Sequence, residues 1–400
     1  MATIEAGKAR ARHGPGLGSL INRREVRQFI YQAIILIGLV ALVWMIVSNT
    51  IVNLRKQNIA SGFGFWDNTA GFDISQSLIS YSAGSAYGHA FWVGLLNTLL
   101  VSAIGIVFAT MLGFMMGIAR LSSNWLVAKL ATVYVEIARN VPLLLQLFVW
   151  YFAVLKNLPS PRQSHALPGG GFLNVRGLYL PVPVYQPGIG WALVALVVAG
   201  AASIGIALWS RQRQKLTGQR FPVLWSSLAL IIGLPFLILV ALGEPVKFDY
   251  PALRGFNFQG GLVVQPEFIA LLLGLVFYTG AYIAEIVRAG IQGVPKGQKE
   301  AALALGLSNG QTLRLVVIPQ AMRIIIPPLT SQYLNLTKNS SLGVAIAYPD
   351  LVSVFTGTVL NQTGQAVEVI LITMLVYLTL SLLTSLFMNW FNARMALVER

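Results

Sequence analysis

The sequence contains no cysteine. Disulfide frameworks, cysteine-ligated metals and thiol catalysis are therefore excluded for this chain. Histidine is scarce too: three residues lie scattered without metal-ligand spacing, so no metal site is expected. Charge is the next shortage. Only 10% of residues are Asp, Glu, Lys or Arg, against about 25% in soluble globular chains. Nucleotide-binding signatures are also missing, because "AGKAR" lacks both the upstream glycine and the Ser/Thr of a GxxxxGK[ST] loop. The expectation is a chain without catalytic residues and with no cofactor of its own.

What remains is apolar. Of 400 residues, 56% are hydrophobic, and the mean hydropathy is +0.70. That composition is the signature of a membrane protein. The formal charge of +15 raises nucleic acid as a partner, but the basic residues sit between hydrophobic runs instead of forming one stripe. Membrane topology explains that placement, and a nucleic-acid partner is disfavoured.

Runs of about 20 apolar residues can cross a bilayer. They occur near residues 29–48, 90–118, 188–209, 222–242, 268–287 and 369–391. A further span runs from about Ala131 through "VPLLLQLFVWYFAVL", and an interrupted one is "IIIPPLTSQYLNLTKNSSLGVAIAY". The fold class is thus an all-α integral membrane protein of about eight transmembrane helices. The first span is too long for a signal-peptide core and is read as an uncleaved helix. With both termini in the cytoplasm, 20 of the 28 Lys and Arg residues fall on the inside, as the positive-inside rule requires. Trp44, Trp150, Tyr151 and Trp390, near predicted helix ends, fit interfacial aromatic belts.

The resulting organisation is a basic cytoplasmic arm (1–28), a first helix with an outer loop (29–88), a core in two parts (89–156 and 266–392) and a short tail (393–400). Between the core parts, 157–265 reads as an insertion carrying two extra spans. The loop 53–88 is expected along the outer surface. Residues 157–187 hold six prolines and a "GGG" run, so little regular structure is expected there.

The stretch "KEAALALGLSNGQTLRLVVIPQA", Lys299–Ala321, is apolar yet cut by Gly306 and by Ser308-Asn309-Gly310. Neither half is expected to span. Gly306 can take the left-handed conformation that stops a helix. Ser308 and Gln311 match a capping box for a second short helix, which Pro319 perturbs. Such a hairpin must be covered, either by its own bundle or by another protein.

This stretch resembles the EAA loop of the membrane subunits of bacterial ABC importers: Glu-Ala-Ala, three residues, Gly, nine residues, then I-x-L-P. Glu300, Ala301, Ala302, Gly306 and Pro319 match it, with Val316 and Ile318 as conservative departures. "YIAEIVRAGIQGVPKGQ" and "YVEIARNVPLLLQLF" resemble the polar amino-acid subfamily, although Asn140 and Val141 stand where F-R-G-T-P is more common. The resemblance covers roughly residues 90–156 and 266–392. The long N-terminal region and the insertion are most similar to the general L-amino-acid permease type. The resemblance implies a type I importer permease core in the bacterial inner membrane. It implies docking of the loop on an ABC ATPase homodimer that holds ATP and Mg, a second related permease subunit (or a second copy), a periplasmic amino-acid-binding protein, and alternating access for amino acids. Glu300 would pair or cap in the first turn of the docking helix, and Gly306 would set the angle between the two helices.

Inside the spans, Lys338 stands out. It lies about 15 residues, roughly 22 Å at the helical rise, beyond Arg323. A charge at that depth costs about 2.5–3.5 kcal/mol on insertion scales, so it should face protein or water. Gln332, Asn335 and Asn339 recur beside it, giving a candidate substrate-lining stripe; the alternatives are snorkelling or a pair with Glu368. Asn97 and Thr98 either join that cavity or bond between helices. Glu136/Arg139 and Glu285/Arg288 repeat E-I-x-R at cytoplasmic helix ends, as gate elements or as ordinary i,i+3 pairs. Two rival classes stand beside the importer: an ion-driven secondary amino-acid transporter, which needs no docking hairpin, and a non-transporting membrane scaffold.

Overall fold

The computed structural model describes residues 24–56, 61–184, 189–219, 221–243 and 247–395. The basic arm expected over 1–28 lies outside these residues up to 23, and the tail expected over 393–400 lies outside from 396. The helices are α1 (Arg24–Lys56), α2 (Tyr87–Ala119), α3 (Trp125–Asn140), α4 (Leu143–Phe148), α5 (Ile189–Thr217), α6 (Val223–Ala241), α7 (Pro266–Gln292), α8 (Lys296–Ala304), α9 (Asn309–Thr312), α10 (Ile318–Asn339), α11 (Leu360–Thr363) and α12 (Ala366–Met395). Among the described residues, seven helices are long and apolar enough to cross a membrane, or up to eight if a bent pair counts as one. The protein is a multi-span membrane protein.

The bent pair corrects the expected third span. α3 and the segment Leu143–Asn157 meet at 108°. Val141 is extended (φ −93°, ψ 126°) because Pro142 follows it, and that conformation ends α3. The side-chain amide of Gln146 then donates to the carbonyls of Ala138 (2.8 Å) and Val141 (2.9 Å), satisfying groups the bend leaves free.

The core is built on α2 and α7. A Cβ on Gly117 would lie 2.7 Å from both the Ala284 carbonyl oxygen and Val287 Cβ, and one on Gly113 2.4 Å from Ile283 Cγ2. The two helices therefore touch nearly backbone to backbone. α10 runs back along α7, with Ile325 over Gly290, and Leu147, Leu271, Leu275, Ile325 and Leu336 close the main cluster.

The interrupted span is broken later than its prolines suggest. α10 passes Pro327 and Pro328 and runs to Asn339. A 3₁₀ turn (Ser340–Ile346) follows, and Ala347 is left-handed (φ 58°). The chain then forms a π-helical turn, Val352–Val359, and α11 before α12.

Two loops are more ordered than the composition suggests. The outer loop reaches inward: Phe65 and Ala70 are buried, with Phe65 packed on Tyr87 and Phe355. Residues 157–187, expected to be irregular, carry strands β1 (His165–Leu167), β2 (Gly171–Asn174), β3 (Gly177–Leu180) and β4 (Val182–Pro183). Strands β5 (Phe248–Asp249), β6 (Ala252–Arg254), β7 (Asn257–Gln259) and β8 (Leu262–Val264) come from the far end of the expected insertion. β1-β2-β3-β8 form one antiparallel sheet, and β4 pairs with β5. All but one of the five described prolines in this stretch fall outside these strands, and Phe172 and Tyr179 stack on Phe258 (4.6 and 5.1 Å between centroids). Aromatic packing across the two chain ends outweighs the turn-rich composition.

α5 and α6 pack on each other, while no described side chain of α1 is buried. A helix apolar all round and uncovered faces lipid or another chain.

Candidate functional site

The hairpin forms as its sequence predicts, with one change. α8 ends in a Schellman motif: Gly306 N–H donates to Leu303 O (2.9 Å) and Leu307 N–H to Ala302 O (3.2 Å), with Gly306 at φ +79°. The Ser308–Gln311 capping box is complete and starts α9. The expected second short helix is not separate, however. A π-helical turn, Leu313–Val317, carries α9 into α10, and the run Asn309–Ile346 is continuous. Pro319, which has no N–H to offer its preceding turn, follows that π-turn at the start of α10. The second arm is thus the first part of a span.

Ala302, Thr312 and Val317 are buried and anchor the hairpin, while Glu300 and Ala301 are exposed on α8. The leucines point away: Leu305 is 83% and Leu315 61% exposed. Between the hairpin, the end of α7 and the turn after α2, an open cavity of about 960 Å³ is lined by Leu121, Ser123, Lys296, Lys299, Thr312 and Leu313, among others. A surface of bare leucines beside lysines and Glu300 suits a protein partner.

Above the hairpin, the E-I-x-R repeats diverge. Glu285 is a hub: Arg288 Nη2 donates to Oε1 (2.5 Å), Arg120 Nη1 donates to Oε2, and Arg139 Nη1 lies 3.6 Å from Oε2. Arg139 therefore pairs across helices and not with Glu136, which is exposed. Arg120 escaped the sequence reading, because it is remote from Glu285 in the chain. Its position at the end of α2 was the available signal.

On α10, Asn335 and Lys338 are exposed, and Gln332 and Asn339 half-buried. Lys338 forms no ion pair among the described residues. Glu368, the alternative partner, is instead buried and accepts the Gly62 N–H (2.5 Å).

Asn97 and Thr98 sit elsewhere, both fully buried. Asn97 Nδ2 donates to the Gln76 (2.8 Å) and Pro349 (2.9 Å) carbonyls, and Thr98 Oγ1 accepts the Leu351 N–H (3.0 Å). They tie α2 to the break after α10, an interhelical bonding role. The same junction holds Asp350, whose Oδ1 accepts the Ser353 N–H (2.9 Å). Its Oδ2 lies 3.4 Å from the Tyr377 hydroxyl on α12, so the junction is tied to that helix as well.

Tyr151, expected in an interfacial belt, is turned into the protein: it is buried, and its hydroxyl donates to Glu267 Oε1 (2.6 Å).

Comparison with known proteins places this architecture. Residues 109–397 match the family described as binding-protein-dependent transport system inner membrane component. The chain is similar to the general L-amino acid transport system permease protein AapQ of Rhizobium johnstonii (56% identical, all of both chains). It is also similar to the putative amino-acid ABC transporter permease protein YhdX of Escherichia coli (55%; 94% of this chain, 95% of the relative). A third relative is the glutamate/glutamine/aspartate/asparagine transport system permease protein BztB of Rhodobacter capsulatus (41%; 96% and 97%). A family match across most of the chain, together with relatives aligned nearly end to end, makes this protein a member of the binding-protein-dependent transport system inner membrane component family, a membrane transport subunit.

Proposed function

We propose that this chain is one permease subunit of an ATP-driven importer that moves amino acids across the bacterial inner membrane by alternating access. The α8–α9 hairpin is the docking surface of a separate ATPase homodimer, which holds ATP and Mg. The observation that carries this reading is the uncovered hairpin: Leu305 and Leu315 stay exposed after the bundle has buried Ala302, Thr312 and Val317. Packing on its own bundle does not cover it, and an ion-driven transporter has no use for it.

The relatives' amino-acid names support the substrate class. The distribution of Lys and Arg supports cytoplasmic termini, which puts the hairpin inside and the sheet of the 157–265 insertion in the periplasm. There the sheet end faces a periplasmic amino-acid-binding protein. The open face of α10 suits a second permease chain or a second copy, with Lys338, Asn335, Gln332 and Asn339 lining the path between them. Lys338 supplies a positive charge for a substrate carboxylate in a low-dielectric setting.

The test is a tagged pull-down from native membranes, with mass spectrometry of what comes down, comparing the wild type with a Glu300→Lys, Gly306→Val double variant. A P-loop ATPase should accompany the wild type and be lost with the variant. If no ATPase accompanies the wild type while the complex is preserved, the docking role fails and ion-driven transport becomes the better account.

A further inference from the structure

The hub at Glu285 is more than a local ion pair. Three arginines converge on one carboxylate from three helix ends: Arg120 just after α2, Arg139 in the last turn of α3, and Arg288 one turn on in α7. The three arms are unequal. Arg120 is nearly buried (side chain 10% exposed), and Arg288 is held both by Glu285 and by Gln292 (2.6 Å). Arg139 stands off at 3.6 Å, is 37% exposed, and has its guanidinium 5.3 Å from the Tyr282 ring centroid.

The packing beneath is unequal in the same sense. α2 and α7 touch backbone to backbone through Gly113 and Gly117, so they move as one body. α3 meets α7 through a small cluster of Val135, Ala138, Ala281 and Ala284 and one hydrogen bond, from the Tyr134 hydroxyl to the Phe277 carbonyl (2.7 Å), a lighter interface than the one between α2 and α7. Glu285 also sits two turns from Gln292, where α7 ends and the chain turns at Pro295 into the docking helix α8.

Resting on the proposed docking of an ATPase, we infer that Glu285 is a positioning residue for transport: it fixes α2 to α7 through Arg120 and Arg288 and holds α3 through the releasable arm of Arg139. Movement of the hairpin enters α7, and the Glu285–Arg139 contact decides whether the end of α3, and with it the 108° elbow, follows. Removing that contact leaves docking intact and disconnects ATP hydrolysis from substrate movement.

The assay is the complete importer in liposomes, scored as amino acid imported per ATP hydrolysed. Arg139→Gln and Glu285→Gln should lower that ratio at least about fivefold, the low end of a typical coupling between sites, with the ATPase still bound. Arg139→Lys should recover much of it. A wild-type ratio in Arg139→Gln overturns the inference. A wild-type importer that moves substrate without consuming ATP overturns the proposed function instead.

If the glutamine variants fail to assemble, the absence of native cysteine permits a second test that keeps the hub. In an Ala138→Cys, Ala284→Cys double variant, an oxidised cross-link between α3 and α7 should stop import, and reductant should restore it. Full import with the cross-link closed shows that α3 never parts from α7, and the inference falls.

Discussion

Tyr151 and Glu267 are 116 residues apart in sequence and joined by a 2.6 Å hydrogen bond. Lys156 joins them, its ammonium 3.8 Å from the same carboxylate and 4.8 Å from the centre of the Tyr151 ring. These residues stand immediately before and after the segment 157–265, so they clasp its neck. A two-helix hairpin and a sheet can hang from the core there without disturbing it.

Cutting that clasp has a measurable consequence. Glu267→Ala removes a charged acceptor and leaves a buried hydroxyl without its partner, a loss of about 1.5–3 kcal/mol. Thermal unfolding in detergent should shift downward, and limited proteolysis should cut the 157–184 or 247–265 strands before the core helices. Tyr151→Phe should show a smaller shift of the same kind.

The glycines of the bundle divide by what a Cβ would meet. Gly117→Val sets atoms against the Ala284 carbonyl and Val287, so it should cost at least about 1–3 kcal/mol or prevent assembly. Gly297, in α8, has nothing within 4 Å. Gly297→Ala should stabilise by about 0.4–1 kcal/mol, by narrowing the unfolded ensemble. Paired melting curves compare the two.

Lys338→Met keeps most of the length of the side chain and removes its charge. Import should fall by at least about tenfold, equivalent to about 1.4 kcal/mol, while recovery of the assembled complex stays unchanged. Normal uptake would make the α10 stripe a structural face only.

Much of this protein was legible in the chain itself. Spans follow from apolar length, because a bilayer leaves backbone groups no partner outside the helix. The hairpin was legible because its signals are local: Gly306 stops one helix and the Ser308–Gln311 box starts the next. Other features depend on residues that only folding brings together. The third span reads as one run through Pro142, whereas the fold bends it there by 108°, with α4 packed on α7. Lys156 and Glu267 carry no sign of each other across the intervening segment. Sequence spacing paired Glu285 with Arg288 alone, whereas the fold adds Arg120 and Arg139. The sequence by itself determined which segments enter the membrane and where the chain turns, since those depend on solvation and local backbone preference. Only the tertiary structure decided which charges meet, because buried ions are satisfied by whichever helix ends the packing delivers to them.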